Sequence, residues 1–98
     1  MPSPVPRVAV GIPVFNLEAT VGRAIESVLA QRFTDFELIV SDNASTDATE
    51  AVCRRYAAGE PRMRVARQPA PLPAHENYRF LLDAARAPYF MWLAADDY

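Results

Sequence analysis

The chain has 98 residues, 51% of them apolar and 22% charged, with a net charge of −2. That is the composition of one globular domain with a real core, and it excludes an intrinsically disordered chain. The near-neutral charge offers no electrostatic footprint for a phosphate backbone, so nucleic acid is not an expected partner. All ten basic residues are arginine. The missing lysine removes a Walker A loop, a Schiff-base enzyme and a lysine-dependent phospho-acceptor domain together. Cys53 is the sole cysteine, which rules out an internal disulfide and points to a buried core thiol in a reducing, cytoplasmic setting. No apolar run has the length of a membrane span, and the proline-rich start lacks the apolar stretch of a signal peptide.

From Arg7 to Val14, Val8, Val10, Ile12 and Val14 alternate with small residues, the pattern of a strand covered on both faces, which Pro13 should end. Leu17, Val21, Ala24, Ile25, Val28 and Leu29 then fall on one face of a helix, with Asn16 as its expected N-cap. Phe36 to Val40 reads as a second buried strand, followed by a polar loop from Ser41 to Asp47. Asp47 and Glu50 have the spacing of a capping box that opens a second helix, with Val52 and Tyr56 turned inward and Gly59 and Pro61 closing it. Met63 to Arg67 is a short third strand, and Pro69, Pro71 and Pro73 force an extended connector. A third helix should bury Tyr78, Leu81, Leu82 and Ala85, before a fourth apolar strand from Tyr89 to Ala94.

Strands alternating with helices predict a three-layer α/β/α, Rossmann-like domain with a parallel sheet. The expected strand order is 3-2-1-4. Ligands of such sheets bind beyond the carboxyl ends of the strands, where the order reverses. Three strand ends carry residues suited to that place: Pro13, Val14, Phe15, Asn16 and Glu18 after the first, Asp42 and Asn43 after the second, Asp96 and Asp97 after the fourth. Adjacent carboxylates repel unless a cation or donors stabilise them, and a hard divalent metal completed by phosphate oxygens is the natural remedy. A lone acidic pair is more often a solvated turn; its coincidence with Asp42 at one edge shifts the balance toward a site. Asp42 could accept from a ligand's ring N–H or hydroxyl, or simply cap the following helix. The three glycines are scattered, so there is no glycine-rich phosphate loop.

Four blocks carry a family resemblance: Ile12-Pro13-Val14-Phe15-Asn16 with Glu18; Ala24 to Gln31; Phe36 to Asp47; and Trp92-Leu93-Ala94-Ala95-Asp96-Asp97. In this order they resemble the N-terminal, nucleotide-sugar-binding half of a family 2 glycosyltransferase. The resemblance implies a GT-A fold over residues 1–98 that binds a nucleoside-diphosphate sugar, by expectation a uridine diphosphate sugar, with manganese or magnesium. Pro13, Val14 and Phe15 would line base and ribose, with Glu18 nearby. Asp42 would bond the base at a uracil N–H, Asp96 would approach the ribose or sugar, and Asp97 would ligate the metal. Asn77 matches a family asparagine near the nucleotide, or is structural. Pro71-Leu72-Pro73 departs from the family's Asn-x-Gly stretch, so the connector should differ in shape. The acceptor half and the general base are expected beyond residue 98, with the intact protein cytoplasmic or at the cytoplasmic face of a membrane. A fourth strand left with its outer edge uncovered should expose Met91 and Trp92 and favour self-association. The alternative is a nucleotide-binding module without catalysis.

Overall fold

A computed structural model describes residues 6–31 and 34–95. Seven elements alternate along the chain: β1 (Val8–Val14), α1 (Val21–Leu29), β2 (Phe36–Asp42), α2 (Thr49–Ala58), β3 (Met63–Arg67), α3 (Ala74–Ala84) and β4 (Tyr89–Trp92). The strands form one parallel sheet in the order β3-β2-β1-β4, as expected.

The alternation of side chains sorts the two faces. Val10, Ile12 and Val14 of β1, with Phe36, Leu38 and Val40 of β2, join Val21, Ala24, Ile25 and Val28 of α1 and Cys53 of α2 in the main core. Ala9, Ile39 and Ser41 point the other way and are covered by α3, whose Leu81 is fully buried. The layers are therefore α1 and α2, the sheet, and α3. Burial pushes the Cys53 thiol up to about 12, so it is the inert core residue the sequence suggested.

Several local expectations are corrected. Helix α1 begins a turn later than Asn16, after Thr20, because Asn16 adopts a left-handed conformation (φ 52°) instead of capping. The capping box does not close. Asp47 accepts the Thr49 N–H at 2.9 Å, but Glu50 turns to Arg54 and Arg67 instead of back along the chain. The Thr49 hydroxyl, also donating to Asp47, holds that carboxyl below its ordinary range. On α3 the buried positions are Asn77 and Leu81, four apart, while Tyr78 and Leu82 are 38% and 46% exposed; the sheet beneath them ends at β4. The fourth strand is shorter than expected, and as an edge it leaves Tyr89, Met91 and Trp92 exposed. Pro13 does not terminate β1, which stays paired to Asp42 through Val14.

Gly11 has a packing reason. A Cβ there would lie 2.6 Å from Phe90 Cζ and 3.3 Å from Leu81 Cβ, so only glycine lets the Phe90 ring settle between β1 and α3. Phe90 stacks edge-on against Trp92 (4.9 Å between centroids), and Trp92 against Tyr78 (5.5 Å).

Candidate functional site

The carboxyl edge of the sheet opens into a cleft of about 230 Å³ at the β1/β4 switch point. Pro13, Val14, Phe15 and Leu17 form one wall, Ala74, Asn77 and Tyr78 of α3 the other, with Asn43 and Ala94 completing it. This is below the roughly 300–1,000 Å³ of a complete small-molecule site, and suits part of a ligand, such as a ring. Phe15 is 48% exposed, offering the cleft an aromatic surface.

The wall after β1 is held by the loop after β2. The Asn16 N–H donates to Ser45 Oγ (2.9 Å), the Leu17 N–H to Thr49 Oγ1 (2.8 Å) and the Glu18 N–H to Asp47 Oδ2 (3.3 Å). In return Asn16 Oδ1 accepts the Thr46 N–H at 2.8 Å. The loop itself turns through Ala44 in a left-handed conformation (φ 61°), unusual for a residue with a Cβ. Sequence reasoning assigned none of Ser45, Thr46 and Thr49 to this lacing; their hydroxyls in a Ser-Thr-Asp loop were the available signal.

Asn43 and Asn77 turn out to be ties. The Asn43 amide pairs with the Leu72 backbone like a peptide group, donating to its carbonyl at 2.8 Å and accepting its N–H at 2.7 Å, which seats the proline connector. Asn77, nearly buried, accepts the Ser41 hydroxyl and donates to the Ser41 carbonyl, while Gln68 donates to the same hydroxyl. Its side chain thus joins α3 to β2 at the back of the cleft, which it also lines.

Asp42 stands at the end of β2, one strand from the switch point, and has no exposed surface. Its Oδ1 accepts the N–H and hydroxyl of Ser45, and its Oδ2 accepts Arg67 Nη1 at 2.9 Å. It therefore lies behind the cleft lining, not in it. Arg67, which sequence reasoning passed over as a strand residue, is the buried carboxylate's partner. Glu18 is exposed and outside the lining.

Asp96 and Asp97 lie outside the described residues. The residues that precede them reach the site: Ala94 lines the cleft and Ala95 is buried in the core beside it. Among the described residues no group of three His, Cys, Asp or Glu side chains could hold a metal ion, and no helix is long and apolar enough to cross a membrane.

The sequence profile of Glycosyl transferase family 2 matches residues 9–98, nearly the whole chain. The chain belongs to that family. A putative glycosyltransferase EpsE of Bacillus subtilis (strain 168) is 43% identical over 53 residues, 54% of this chain and 19% of the relative. The fold is that of solved GT-A glycosyltransferases. A mannosyltransferase from Pyrobaculum calidifontis, in complex with GDP-Man and Mn2+, superposes with a TM-score of 0.85 at 23% identity, over 96% of this chain and 28% of that one. S. aureus TarS 1–349 in complex with UDP-GlcNAc superposes with a TM-score of 0.82 at 21% identity, over 92% of this chain and 26% of that one. The chain thus spans less than a third of the length of each of these proteins.

Proposed function

We propose that this chain forms the donor-binding part of a glycosyltransferase that moves a sugar from a nucleoside diphosphate to an acceptor hydroxyl. The observation that carries the reading is the cleft at the β1/β4 switch point, walled by Pro13, Val14 and Phe15 in a family 2 chain. In a parallel α/β sheet this is where a nucleotide binds. Phe15 would lie against the base and Pro13 and Val14 against base and ribose, with Glu18 at the outer rim.

Asp42 would supply the base contact only once the side chains that bury its carboxylate behind the cleft, Ser45 and Arg67, give way to the ligand. A carboxylate only accepts, so it favours a base whose ring edge presents an N–H, as uracil and guanine do, over one whose ring edge presents an acceptor, as cytosine and adenine do. A uridine diphosphate sugar fits this rule, and so does a guanosine one. Asp96 would meet the ribose or sugar. Asp97 would ligate manganese or magnesium, for which oxygen donors are the right chemistry, and a bound cation offsets the charge of a diphosphate leaving group. The chain's own residues would hold the nucleotide so that the sugar carbon is presented to the acceptor.

Calorimetry of UDP and GDP against the chain, with and without manganese, tests the reading. A cleft of this size covers only part of a nucleotide, so the expected affinity is millimolar, about −4 kcal/mol, strengthened by manganese. Affinity that manganese leaves unchanged would sink the donor-site assignment. Sugar transfer by a longer protein containing this domain would separate an enzyme from a nucleotide-binding module.

A further inference from the structure

Resting on that donor-site reading, we propose that Tyr78 is a further base-contact residue: its ring is the second aromatic wall of the cleft, across from Phe15, and a nucleotide base enters between the two. Helix α3 buries Asn77 and Leu81 against the sheet. Tyr78, one position on from Asn77, is turned about 100° round the helix axis and comes out over Trp92, the last residue of β4. There it lines the cleft that Phe15 walls from the β1 side. Leu82, a turn further along the same flank and also exposed, does not line it.

The ring is braced from the packed side of the sheet. Phe90 sits over Gly11 and against Leu81. Trp92 meets Phe90 at 4.9 Å and 70°, and Tyr78 meets Trp92 at 5.5 Å and 73°. Edge-on pairs are a favoured aromatic arrangement, so the three rings hold one another in a row that ends at the cleft. Tyr78 is still 38% exposed and Phe15 48%, so both walls keep ring surface in water that a planar ligand can cover. A ring already held in place loses little freedom when the ligand arrives. A tyrosine that served only to shield Trp92 would need no place in the cleft lining. Every base has a π-face, so an aromatic wall raises affinity without choosing among bases, which separates its role from that of a hydrogen-bonding group.

The test measures UDP and GDP affinities by calorimetry, with and without manganese, on the unmutated chain, Tyr78→Leu, Tyr78→Phe and Leu82→Ala, with circular dichroism to check the fold of each. Tyr78→Leu should weaken both nucleotides about fivefold, while the factor by which manganese strengthens binding stays the same. Tyr78→Phe keeps the ring and should stay within about twofold of the unmutated chain, as should Leu82→Ala. Trp92, the one tryptophan of the chain, touches Tyr78 and supplies a second readout. Its emission should change as UDP is added to the unmutated chain, with the midpoint found by calorimetry. If Tyr78→Leu does not fold, this titration carries the test, and emission unchanged across that midpoint overturns the contact. A folded Tyr78→Leu that binds UDP and GDP as before, one that also loses the effect of manganese, or a Tyr78→Phe or Leu82→Ala as weak as Tyr78→Leu, overturns the role of Tyr78 and leaves the donor site standing. Nucleotide binding that manganese does not strengthen in the unmutated chain overturns the donor-site reading and this inference with it.

Discussion

Glu37→Gln should destabilise the domain by about 2–4 kcal/mol at neutral pH. Glu37 sits in β2, paired to Ala9, and is almost fully buried on the face covered by α3. Its Oε2 accepts the backbone N–H groups of Arg86 (2.7 Å) and Ala87 (2.9 Å), and its Oε1 accepts Arg64 Nη2 (2.8 Å). A carboxylate satisfies all three donors; an amide has one acceptor oxygen. If that oxygen stays on the two backbone groups, each bond loses its charge assistance, about 1 kcal/mol apiece, and the new NH₂ faces the Arg64 guanidinium for about 1 more. The opposite flip strands two backbone donors and costs at least as much. Arg64 itself matters less, since its side chain is 46% exposed and also donates to the Ala84 carbonyl.

The pH dependence supplies the check. Burial alone would raise the Glu37 carboxyl, but the Arg86 N–H, the Arg64 guanidinium and the Ala87 N–H outweigh it and hold the group below its ordinary 4.5. A carboxylate lowered on folding stabilises above its unfolded value, and that contribution disappears as pH falls through the folded value. Urea unfolding followed by circular dichroism should therefore show the full gap between the two proteins at pH 7. With a slope of about 1–1.5 kcal/mol per molar, the midpoints should differ by about 1.3–4 M. The gap should close as pH drops below about 4.5. A gap under about 1 kcal/mol at pH 7, or one that persists unchanged to pH 3, would refute the reasoning.

Gly11→Ala should cost about 1–3 kcal/mol by driving a methyl into Phe90 and Leu81, read as a lower urea midpoint; an unchanged midpoint would mean the Phe90 ring swings away freely. Asp97→Asn should make UDP binding largely independent of manganese, and calorimetry that still finds manganese strengthening would move the cation to other ligands. Among the described residues strand β4 pairs only with β1, and it exposes Met91 (53%) and Trp92 (46%), so sedimentation at rising concentration should reveal self-association; a strict monomer would count against it.

Much of the scaffold was legible because apolar spacing is a local signal. Val8 to Val14 and Phe36 to Val40 announce central strands, and two such strands with intervening helices leave few topologies. What failed to show is long-range. Glu37 reads as a polar interruption until the turn at Arg86 and Ala87 is brought onto it from across the sheet. Arg67 reads as an ordinary strand end until register sets it against Asp42. Tyr78 has the spacing of a core residue, and only the position of the sheet edge makes it a cleft wall instead. Nothing in an alanine hints that residue 44 takes a left-handed turn. The cleft walls Pro13, Val14 and Phe15 were legible, whereas the depth of Asp42 behind them was not.

Why the cleft opens where it does follows from strand lengths and one proline. The last pairing of β4 is Trp92 with Gly11, closed by the Leu93 N–H on the Gly11 carbonyl at 3.0 Å, whereas β1 runs on to Val14 beside β2. Along β1 the backbone groups alternate sides: the Gly11 carbonyl faces β4, and the Val14 carbonyl, which accepts the Asn43 N–H, faces β2. Residue 13 therefore presents its backbone toward the side β4 has vacated. A residue with an N–H there would leave a donor at the floor of an apolar cleft, needing water or a further strand. Proline has none, so β1 extends past its neighbour without an unpaired donor, and the ring itself becomes part of the wall. The residue that seemed from sequence to stop the strand is what lets the strand outlast β4, and the gap between the two strand ends is the candidate site.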